Sequence, residues 1–182
     1  GTRTPLGFAV RTWGGRKSWN RMFSDYPEGV TIVRDKLKAR QVVSDLMELK
    51  HCIHACDTET PMIDDKQGII GRDIPVICAS IYAGGDFDFG SGPIVWIDNM
   101  GTSEGVLQEF KPYFESTQIK KVWHNYSFDR HILYNHDIDC RGFHGDTMHM
   151  ARLWDTARLT EGGYSLESVS SDLLETKKLT MK

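Results

Sequence analysis

The chain of 182 residues has the length of one domain, on the usual scale of roughly 100–200 residues per domain. Apolar residues make up 40% and charged residues 26%, with a net charge of −3, so the composition predicts a folded globular chain and excludes a disordered one. The slightly negative net charge does not indicate the basic face of a general nucleic-acid binder. Formal charge counting leaves out bound cations, however, so a domain whose acids hold divalent cations would also have a negative formal charge. No apolar run reaches the roughly 18–20 residues of a membrane-spanning helix, so we expect no membrane partner.

The charge is unevenly distributed between the first 29 residues and the rest. Residues 1–29 contain five Arg or Lys and two acids, a net charge of +3, so residues 30–182 carry −6. Glycines, prolines and aromatic residues occur in 1–29 without periodicity, which predicts an irregular N-terminal extension. Its arginines and few acids are typical of an organelle-targeting region, and its aromatic residues of a segment that binds a partner.

Regular structure is predicted from residue 30 onwards. Short β-prone runs predict strands at 30–33, 52–57, 76–82, 93–98 and 119–123, and the glycines between the third and fourth indicate a hairpin or adjacent strands. Helical spacing of apolar residues predicts helices at 35–50, 106–114, 128–135, 147–158 and 165–174, the second of them bent or restarted at Pro112. Strands that come first and then alternate with helices predict an α/β fold, with a mixed sheet flanked by helices.

The same spacing predicts which side of a helix faces the core. Serine is a preferred N-cap residue, so Ser165 is the expected N-cap of the last helix. The aligned apolar residues are Leu37, Val42, Val43, Leu46 and Met47 in the first helix, Met148, Ala151 and Trp154 in the fourth, and Leu166, Val169 and Leu173 in the last.

The chain has four cysteines, too few for a disulfide scaffold: Cys52, Cys56, Cys78 and Cys140. The first two lie beside His51 and His54, which raises the hypothesis of a zinc site. Positions 52, 54 and 56 alternate along one face of a strand, whereas finger-type sites place two cysteines in a tight turn. We therefore favour buried, reduced strand cysteines over a zinc site.

Two acids follow the apolar residues of the second predicted strand. Asp57 and Glu59 stand at positions i and i+2, so on a strand both side chains project from the same face of the sheet. Two like charges at the end of a core strand cost free energy unless a cation neutralises them, and carboxylate oxygens suit hard cations such as Mg²⁺ or Mn²⁺. The alternative is a pair of ordinary strand-end acids in solvent.

A third acid follows the predicted strand 119–123. Asn125 begins a turn there, and Asp129 falls in the first turn of the next helix, directly after Phe128, whose packing would aim the carboxylate. An alternative makes Asn125 the helix N-cap and Asp129 a favourable charge near a helix N-terminus. That interpretation explains each residue separately, but it does not explain why they occur together with the D-x-E motif.

Together, the two acidic segments resemble the Exo I and Exo II motifs of the DEDD 3′–5′ exonucleases, as found in family A DNA polymerases. The resemblance is closest to the organellar DNA polymerases of plants and protists. It covers about residues 30–182 and leaves 1–29 unmatched. The blocks that carry it are 54–59, 80–82, 109–115, 121–129, 142–155 and 162–167.

The resemblance implies an RNase H-like (DnaQ-like exonuclease) fold and hydrolysis of 3′-terminal nucleotides with two divalent cations, Mg²⁺ or Mn²⁺. It implies that Asp57 bridges the two metals, that Glu59 holds the metal that activates water, and that Asp129 serves the second metal. The residues it places at the nucleic acid are Thr58 and Thr60, through backbone or hydroxyl contacts, Ile63, as an apolar wedge, Asn125, which would orient the site, and Phe128.

The implied substrate is a frayed single-stranded 3′ end of DNA, with RNA as an open alternative, held by stacking on aromatic or apolar surfaces rather than read by sequence. The resemblance also implies proofreading beside a polymerase domain or within a larger assembly. It places that assembly in the mitochondrion or the plastid.

The fourth carboxylate of the family, from a Y-x3-D or H-x4-D motif on a late helix, has no counterpart in the sequence. Tyr82 and Asp86 have the first spacing but lie in a glycine-rich turn between the first two motifs. His149 and Asp155 miss the second spacing by one residue. Asp146 matches a family block, and we expect it to be a helix N-cap rather than a metal ligand.

Residues 30–182 are therefore expected to form an exonuclease-like domain that is C-terminally incomplete and lacks the Exo III motif. Two hypotheses follow: an active 3′–5′ exonuclease domain, or an inactive exonuclease-like module that binds nucleic acid or serves as a structural component of a larger assembly. The presence of all three other acids favours the first. A different RNase H-like nuclease, such as an RNase, is a third hypothesis, which the matching blocks outside the acids disfavour.

Overall fold

The computed structural model describes residues 27–61, 74–158 and 162–174. Residues 1–26, which are most of the predicted N-terminal extension, and Ile63 lie outside the described residues. The strands are β1 (Val30–Val33), β2 (Ile53–Glu59), β3 (Cys78–Tyr82), β4 (Ile94–Asp98), β5 (Lys120–Trp123) and β6 (Phe143–Asp146). The α-helices are α1 (Lys36–Glu48), α2 (Lys111–Phe114), α3 (Tyr126–Asn135), α4 (Thr147–Trp154) and α5 (Leu166–Leu174), and 3₁₀ turns cover Gly101–Ser103 and Val106–Phe110.

The strands of the described ranges form one mixed sheet in the order β1–β4–β3–β2–β5–β6. β2 pairs antiparallel with β3, and β3 pairs antiparallel with β4. The β3–β4 pair is the predicted hairpin. β1 joins β4 in parallel, and β5 and β6 extend the other side of β2 in parallel. The predicted mixed sheet flanked by helices is confirmed. Because β2 and β5 are parallel neighbours, their carboxyl ends lie at the same edge of the sheet.

Side chains alternate between the two faces of the sheet along β2. His54, Cys56 and Thr58 are buried on one face, whereas Asp57 and Glu59 on the opposite face are partly exposed. The strand is two residues longer at its carboxyl end than the sequence predicts, so Glu59 is still within it. The predicted placement of the two acids on one face is therefore present.

The main core packs against the face of the sheet that carries Cys56. α1 covers it with Ala39, Val42, Val43 and Leu46, and α3 contributes its own buried apolar residues to the same cluster. Fully burying an aliphatic side chain of this size contributes roughly 1.5–3 kcal/mol, so these contacts determine how the two helices sit on the sheet.

The prediction that Leu37 belongs to the core is wrong. Leu37 is 79% exposed, although helical spacing placed it on the inner face of α1. The buried residues of this helix begin at Ala39, and a residue two positions earlier lies about 200° around the helix axis, on the solvent side.

A chain of polar groups crosses the main core beside β2. The Nε2 of His54 donates to the carbonyl of Leu49 at 3.1 Å, and the Tyr113 hydroxyl donates to the Nδ1 of His54 at 3.0 Å. The thiol of Cys56 lies 3.4 Å from the Tyr113 hydroxyl. Because burial lowers the pKa of His54 and the Leu49 carbonyl only accepts, the imidazole is neutral with its proton on Nε2. His54 and Cys56 are thus core residues of the strand, and Cys56 is a free thiol.

The region predicted as one helix at 106–114 consists of two pieces. The 3₁₀ turn Val106–Phe110 ends where α2 begins, and Pro112 lies in the first turn of α2. A proline in the first turn of a helix removes an N–H that has no partner within the helix, so the helix restarts there without losing a hydrogen bond. The predicted restart is confirmed.

The faces predicted for the last two helices are wrong in part. In α4, which ends four residues earlier than predicted, Ala151 is buried but Trp154 is 84% exposed. In α5, Val169 is buried, whereas Leu166 and Leu173 are exposed. The expected N-cap is present, since the Oγ of Ser165 accepts a hydrogen bond from the backbone N–H of the third residue of α5 at 3.2 Å. None of the helices in the described ranges has the length and apolar character of a membrane span.

Candidate active site

The carboxyl end of β2 carries a patch of negative charge on the more open face of the sheet. In the pairing with β3, Asp57 lies opposite Ser80 and Glu59 lies opposite Cys78. Burial raises the pKa of the Cys78 thiol, and the negative charges of Glu59, Asp98 and Asp57 raise it further. The acids therefore lie close enough to Cys78 to act on it electrostatically.

Asp98 is an acid of this patch that sequence analysis did not single out. It ends β4 and pairs with Cys78 from the side opposite Glu59. Its carboxylate accepts hydrogen bonds from the side chain of Arg34 at 3.3 Å and from the backbone N–H of Met100 at 3.1 Å. The only signal for its position was the predicted hairpin, which brings the ends of two strands together without fixing their register.

The third predicted acid, Asp129, lies in the first turn of α3. The chain leaves β5 at Trp123 and passes through Asn125, which has a left-handed backbone conformation with φ of 69°. Asparagine tolerates this conformation better than most residues, which suits it to the sharp turn into the helix. Phe128 packs partly against the main core, as predicted, and the neighbouring Asp129 is 2% exposed.

The carboxylate of Asp129 is bound to the middle residue of the D-T-E segment. Its Oδ1 accepts one hydrogen bond from the backbone N–H of Thr58 at 2.9 Å and a second from the Thr58 hydroxyl at 2.7 Å. Burial raises the pKa of Asp129 to about 7, the Thr58 hydrogen bonds oppose this rise, and the negative charge of Asp57 adds to it. The structure therefore brings Asp57, Thr58 and Asp129 into one interacting group.

A fourth acid, Asp146, holds the turn from which α3 starts. Its carboxylate accepts hydrogen bonds from the backbone N–H groups of Asn125 at 3.1 Å and Tyr126 at 2.8 Å. It also accepts from those of Met148 at 2.9 Å and His149 at 3.4 Å, in the first turn of α4. The prediction that Asp146 is an N-cap is confirmed for α4, and the structure adds that it caps α3 as well.

The predicted site residues occupy different positions around this group. Thr58 is 5% exposed and its hydroxyl donates to Asp129, while its backbone or hydroxyl contact with nucleic acid stays a prediction. Thr60 follows β2 and is partly exposed, and the side-chain oxygen of Asn125 accepts from the Ser127 hydroxyl at 3.2 Å. Ile63 lies outside the described residues.

Within 27–61, 74–158 and 162–174, no three His, Cys, Asp or Glu side chains come together in an arrangement that holds a metal ion. The negative charge of Asp57 acts on Asp129, and the Oδ1 of Asp129 accepts the two hydrogen bonds from Thr58. The donors themselves fit a hard cation, because they are carboxylate oxygens and one of them is buried with a raised pKa. A divalent cation is the ligand that would stabilise the ionised form of this buried carboxyl.

Comparison with known proteins identifies the family. A sequence model of the 3′–5′ exonuclease family matches residues 30–182. The chain belongs to this family. The resemblance drawn from the acidic motifs is therefore confirmed, and members of the family generally act with divalent cations.

The exonuclease domain has plant relatives that are similar over most of its length. It is 50% identical over 146 residues to DNA polymerase I B, chloroplastic/mitochondrial, of Arabidopsis thaliana. The aligned region covers 79% of this chain and 14% of the relative. The domain is 46% identical over 161 residues to DNA polymerase I B, mitochondrial, of Oryza sativa subsp. japonica. This aligned region covers 86% of this chain and 16% of the relative. The chain therefore spans a small part of the length of these polymerases.

Solved structures confirm the fold of the exonuclease domain. RNase D of Trypanosoma brucei superposes with a TM-score of 0.61 at 14% identity, over 85% of this chain and 50% of that chain. The POL domain of Pol1 from M. smegmatis, in complex with DNA primer-template and dNTP, superposes with a TM-score of 0.56 at 14% identity, over 75% of this chain and 22% of that chain. These likenesses support the predicted RNase H-like exonuclease fold.

Proposed function

We propose that this domain hydrolyses the terminal nucleotide of a single-stranded 3′ end of DNA, in the 3′–5′ direction. The observation that carries the proposal is the interaction of Asp57 with the buried carboxyl of Asp129 at the end of the central strand. Such a pair of acids costs free energy in the folded protein unless it binds a cation, which favours a cation-binding role for it. DNA is chosen over RNA because the relatives are named as DNA polymerases.

Asp57, Glu59 and Asp129 are the proposed metal ligands and catalytic residues. Two divalent cations, Mg²⁺ or Mn²⁺, would supply the polarisation of the attacking water and of the leaving oxygen. Asp129, with a pKa of about 7, is partly protonated near neutral pH and would hold a cation in its ionised form. The position of Asp129 depends on the turn at Asn125, which Asp146 holds in place.

The proposed contacts with DNA come from residues next to the proposed metal ligands in the sequence. Thr60 is partly exposed directly after the two acids, and Phe128 is partly exposed directly before Asp129. We propose that these residues and Ile63 contact the terminal nucleotides by stacking and apolar packing, which does not depend on base identity. Asn125, in the turn before α3, orients the segment that carries Phe128.

We further propose that the domain works inside a larger organellar protein. The relatives named above are chloroplastic or mitochondrial DNA polymerases, of which it matches 14% and 16%. In that setting a polymerase domain is the partner, and the exonuclease domain removes nucleotides from the 3′ end that the polymerase extends. The mitochondrion and the plastid are both compatible with these relatives.

A second candidate function is an inactive exonuclease-like module that binds nucleic acid or supports an assembly. One observation favours it: the described residues do not gather three acids at one point. Under this hypothesis the protein binds single-stranded DNA in the absence of divalent cations and releases no nucleotides when they are added.

The test is release of mononucleotides from a single-stranded DNA labelled at its 3′ end, with Mg²⁺ or Mn²⁺. We expect release by the wild type and at least a hundredfold loss in the double variant Asp57→Ala, Glu59→Ala. The matched control, Asp45→Ala with Glu48→Ala, removes two exposed acids of α1 and the same charge, and should retain full activity. Equal rates in the site variant and the wild type, or no release by the wild type, would overturn the proposal.

A further inference from the structure

Thr58 binds the buried acid of the site through both of its hydrogen-bond donors. The backbone N–H and the side-chain hydroxyl both donate to the same oxygen, Oδ1 of Asp129, at 2.9 and 2.7 Å. Two donors from one residue restrict the rotation of the carboxylate more than a single bond does, because the distance and the direction are both fixed. The hydroxyl itself is held by a β-branched side chain with few accessible rotamers.

The topology explains why the N–H of Thr58 is available for this contact. β5 pairs with β2 only as far as Ala55 and Val122, after which the chain turns at Asn125 into α3. Beyond that point, the side of β2 that faced β5 meets the first turn of α3. Asp129 accepts the hydrogen bond from the N–H of Thr58, which a longer β5 would have accepted instead.

The alternation along β2 gives Thr58 a position that its neighbours lack. Asp57 and Glu59 project from the partly exposed face, and Thr58 projects from the buried face toward α3. A shift of the strand therefore moves both acids and, through Thr58, the carboxylate of Asp129 together. Of the three consecutive residues, the middle one connects the acids of β2 to the acid of α3.

We propose that Thr58 is a positioning residue that holds the Asp129 carboxylate in register with Asp57 for binding a divalent cation. This rests on the function proposed above, and it gives the hydroxyl a role other than the backbone or hydroxyl contact with the 3′ nucleotide that the family resemblance implies. Residues that orient a metal ligand through hydrogen bonds typically change metal affinity or activity by 10–100-fold when they are removed. The hydroxyl of Thr58 makes the shorter of the two bonds, so its loss should fall in this range.

The variants are chosen to separate the hydroxyl from the shape of the side chain. Thr58→Val keeps the β-branched shape and removes the hydroxyl, Thr58→Ser keeps the hydroxyl, and Thr58→Ala provides a second hydroxyl-free variant. The matched control is Thr31→Val: Thr31 is also buried, and its hydroxyl donates to the carbonyl of Gly92 at 3.0 Å and accepts from the N–H of Ser91 at 2.9 Å. It lies on β1, at the edge of the sheet, three strands from β2.

The test is titration of each protein with Mn²⁺, followed by electron paramagnetic resonance, with thermal unfolding of the same samples. We expect Thr58→Val and Thr58→Ala to bind Mn²⁺ about tenfold or more weakly, and Thr58→Ser to remain within about threefold of the wild type. Thr31→Val should lose stability by a similar amount to Thr58→Val and keep its affinity for Mn²⁺.

Two results would overturn the proposal on Thr58 while leaving the proposed function intact. One is wild-type Mn²⁺ affinity in both hydroxyl-free variants. The other is an affinity in Thr58→Ser as weak as in Thr58→Val. A raised KM for DNA with unchanged Mn²⁺ affinity would instead assign the hydroxyl to the nucleotide. Failure of the wild type to bind Mn²⁺ in a manner sensitive to Asp57→Ala would overturn both proposals.

Discussion

At the scale of single residues, Asp129 balances three effects. Burial favours its protonated form, the two hydrogen bonds from Thr58 favour its ionised form, and the negative charge of Asp57 disfavours ionisation again. Burial has the largest effect and holds the pKa at about 7, well above the value of an aspartate in solvent. Without a cation, ionising this group therefore costs folding free energy at neutral pH.

This balance predicts how stability depends on pH when divalent cations are removed by a chelator. Between about pH 4 and pH 7 the folded protein keeps a proton on Asp129 that the unfolded chain has lost, so wild-type stability falls as the pH rises through this window. In Asp129→Asn this contribution is absent, and the amide oxygen can still accept from Thr58. We expect the free energy of unfolding of the variant, relative to the wild type, to increase by roughly 1–3 kcal/mol between pH 5 and pH 8.

Denaturant unfolding at several pH values with a chelator present measures this difference. Asp45→Asn, which neutralises an exposed acid on α1, is the control and should follow the wild type. A difference between Asp129→Asn and the wild type that stays constant from pH 5 to pH 8 would contradict the raised pKa of Asp129.

At the scale of elements, the structure depends on how one carboxylate joins two helices. Asp146 ends β6 and accepts from N–H groups at the start of both α3 and α4. Burial raises the pKa of Asp146, but the backbone hydrogen bonds of four residues together outweigh burial and hold the pKa below its ordinary value. Because α3 carries Asp129, the position of the proposed ligand depends on this cap.

We predict that Asp146→Ala is more destabilising than the loss of an ordinary N-cap. Asp35 caps α1 through one hydrogen bond, from the N–H of Lys38 at 2.9 Å, and Asp35→Ala should cost about 1 kcal/mol. Asp146→Ala leaves the N-termini of two helices uncapped in a buried place and should cost roughly 2–4 kcal/mol at pH 7. Denaturant unfolding of the two variants gives the comparison.

The pH dependence of the Asp146 cap has the opposite sign to that of Asp129. A carboxyl with a lowered pKa stabilises the folded state above the pKa of the unfolded chain, near 4, and loses this effect as the pH falls through its folded value. The difference in stability between the wild type and Asp146→Ala should therefore shrink below about pH 4. Equal costs for Asp146→Ala and Asp35→Ala at pH 7 would show that Asp146 caps only one helix.

The sequence predicted the elements and the direction of the acids better than the packing of the helices. Alternation along β2 was sufficient to place Asp57 and Glu59 on one face, because the period of a strand is fixed by its backbone. β6 was missed because Phe-His-Gly-Asp has no apolar alternation and is held in the sheet by pairing with β5. Trp154 was misplaced because helical spacing indicates an apolar face without indicating what covers it.

The contacts that set the geometry of the site were beyond sequence analysis for a different reason. Thr58 and Asp129 are 71 positions apart, and their hydrogen bond depends on where β5 ends and how α3 turns back toward β2. The second cap made by Asp146 depends on the same turn. Local patterns carry no information about such distances, whereas the family resemblance indicated which acids belong together.

At the scale of the whole molecule, the two faces of the sheet differ in burial. The main core, with α1 and α3, lies on one face, and the acids of β2 lie on the other, where they are partly exposed. Asp129 reaches the same end of β2 from α3. This arrangement leaves the acids of β2 near solvent, with the main core on the opposite face of the sheet.

The central claim is that Asp57, Glu59 and Asp129 hold divalent cations, and a crystal of the protein soaked in Mn²⁺ tests it most directly. Anomalous scattering locates manganese without any assumption about activity. We predict density about 2 Å from carboxylate oxygens of Asp57, shared with Glu59 or Asp129, and its loss in Asp57→Ala. Manganese bound only elsewhere, or density at this position that persists in Asp57→Ala, would contradict the account.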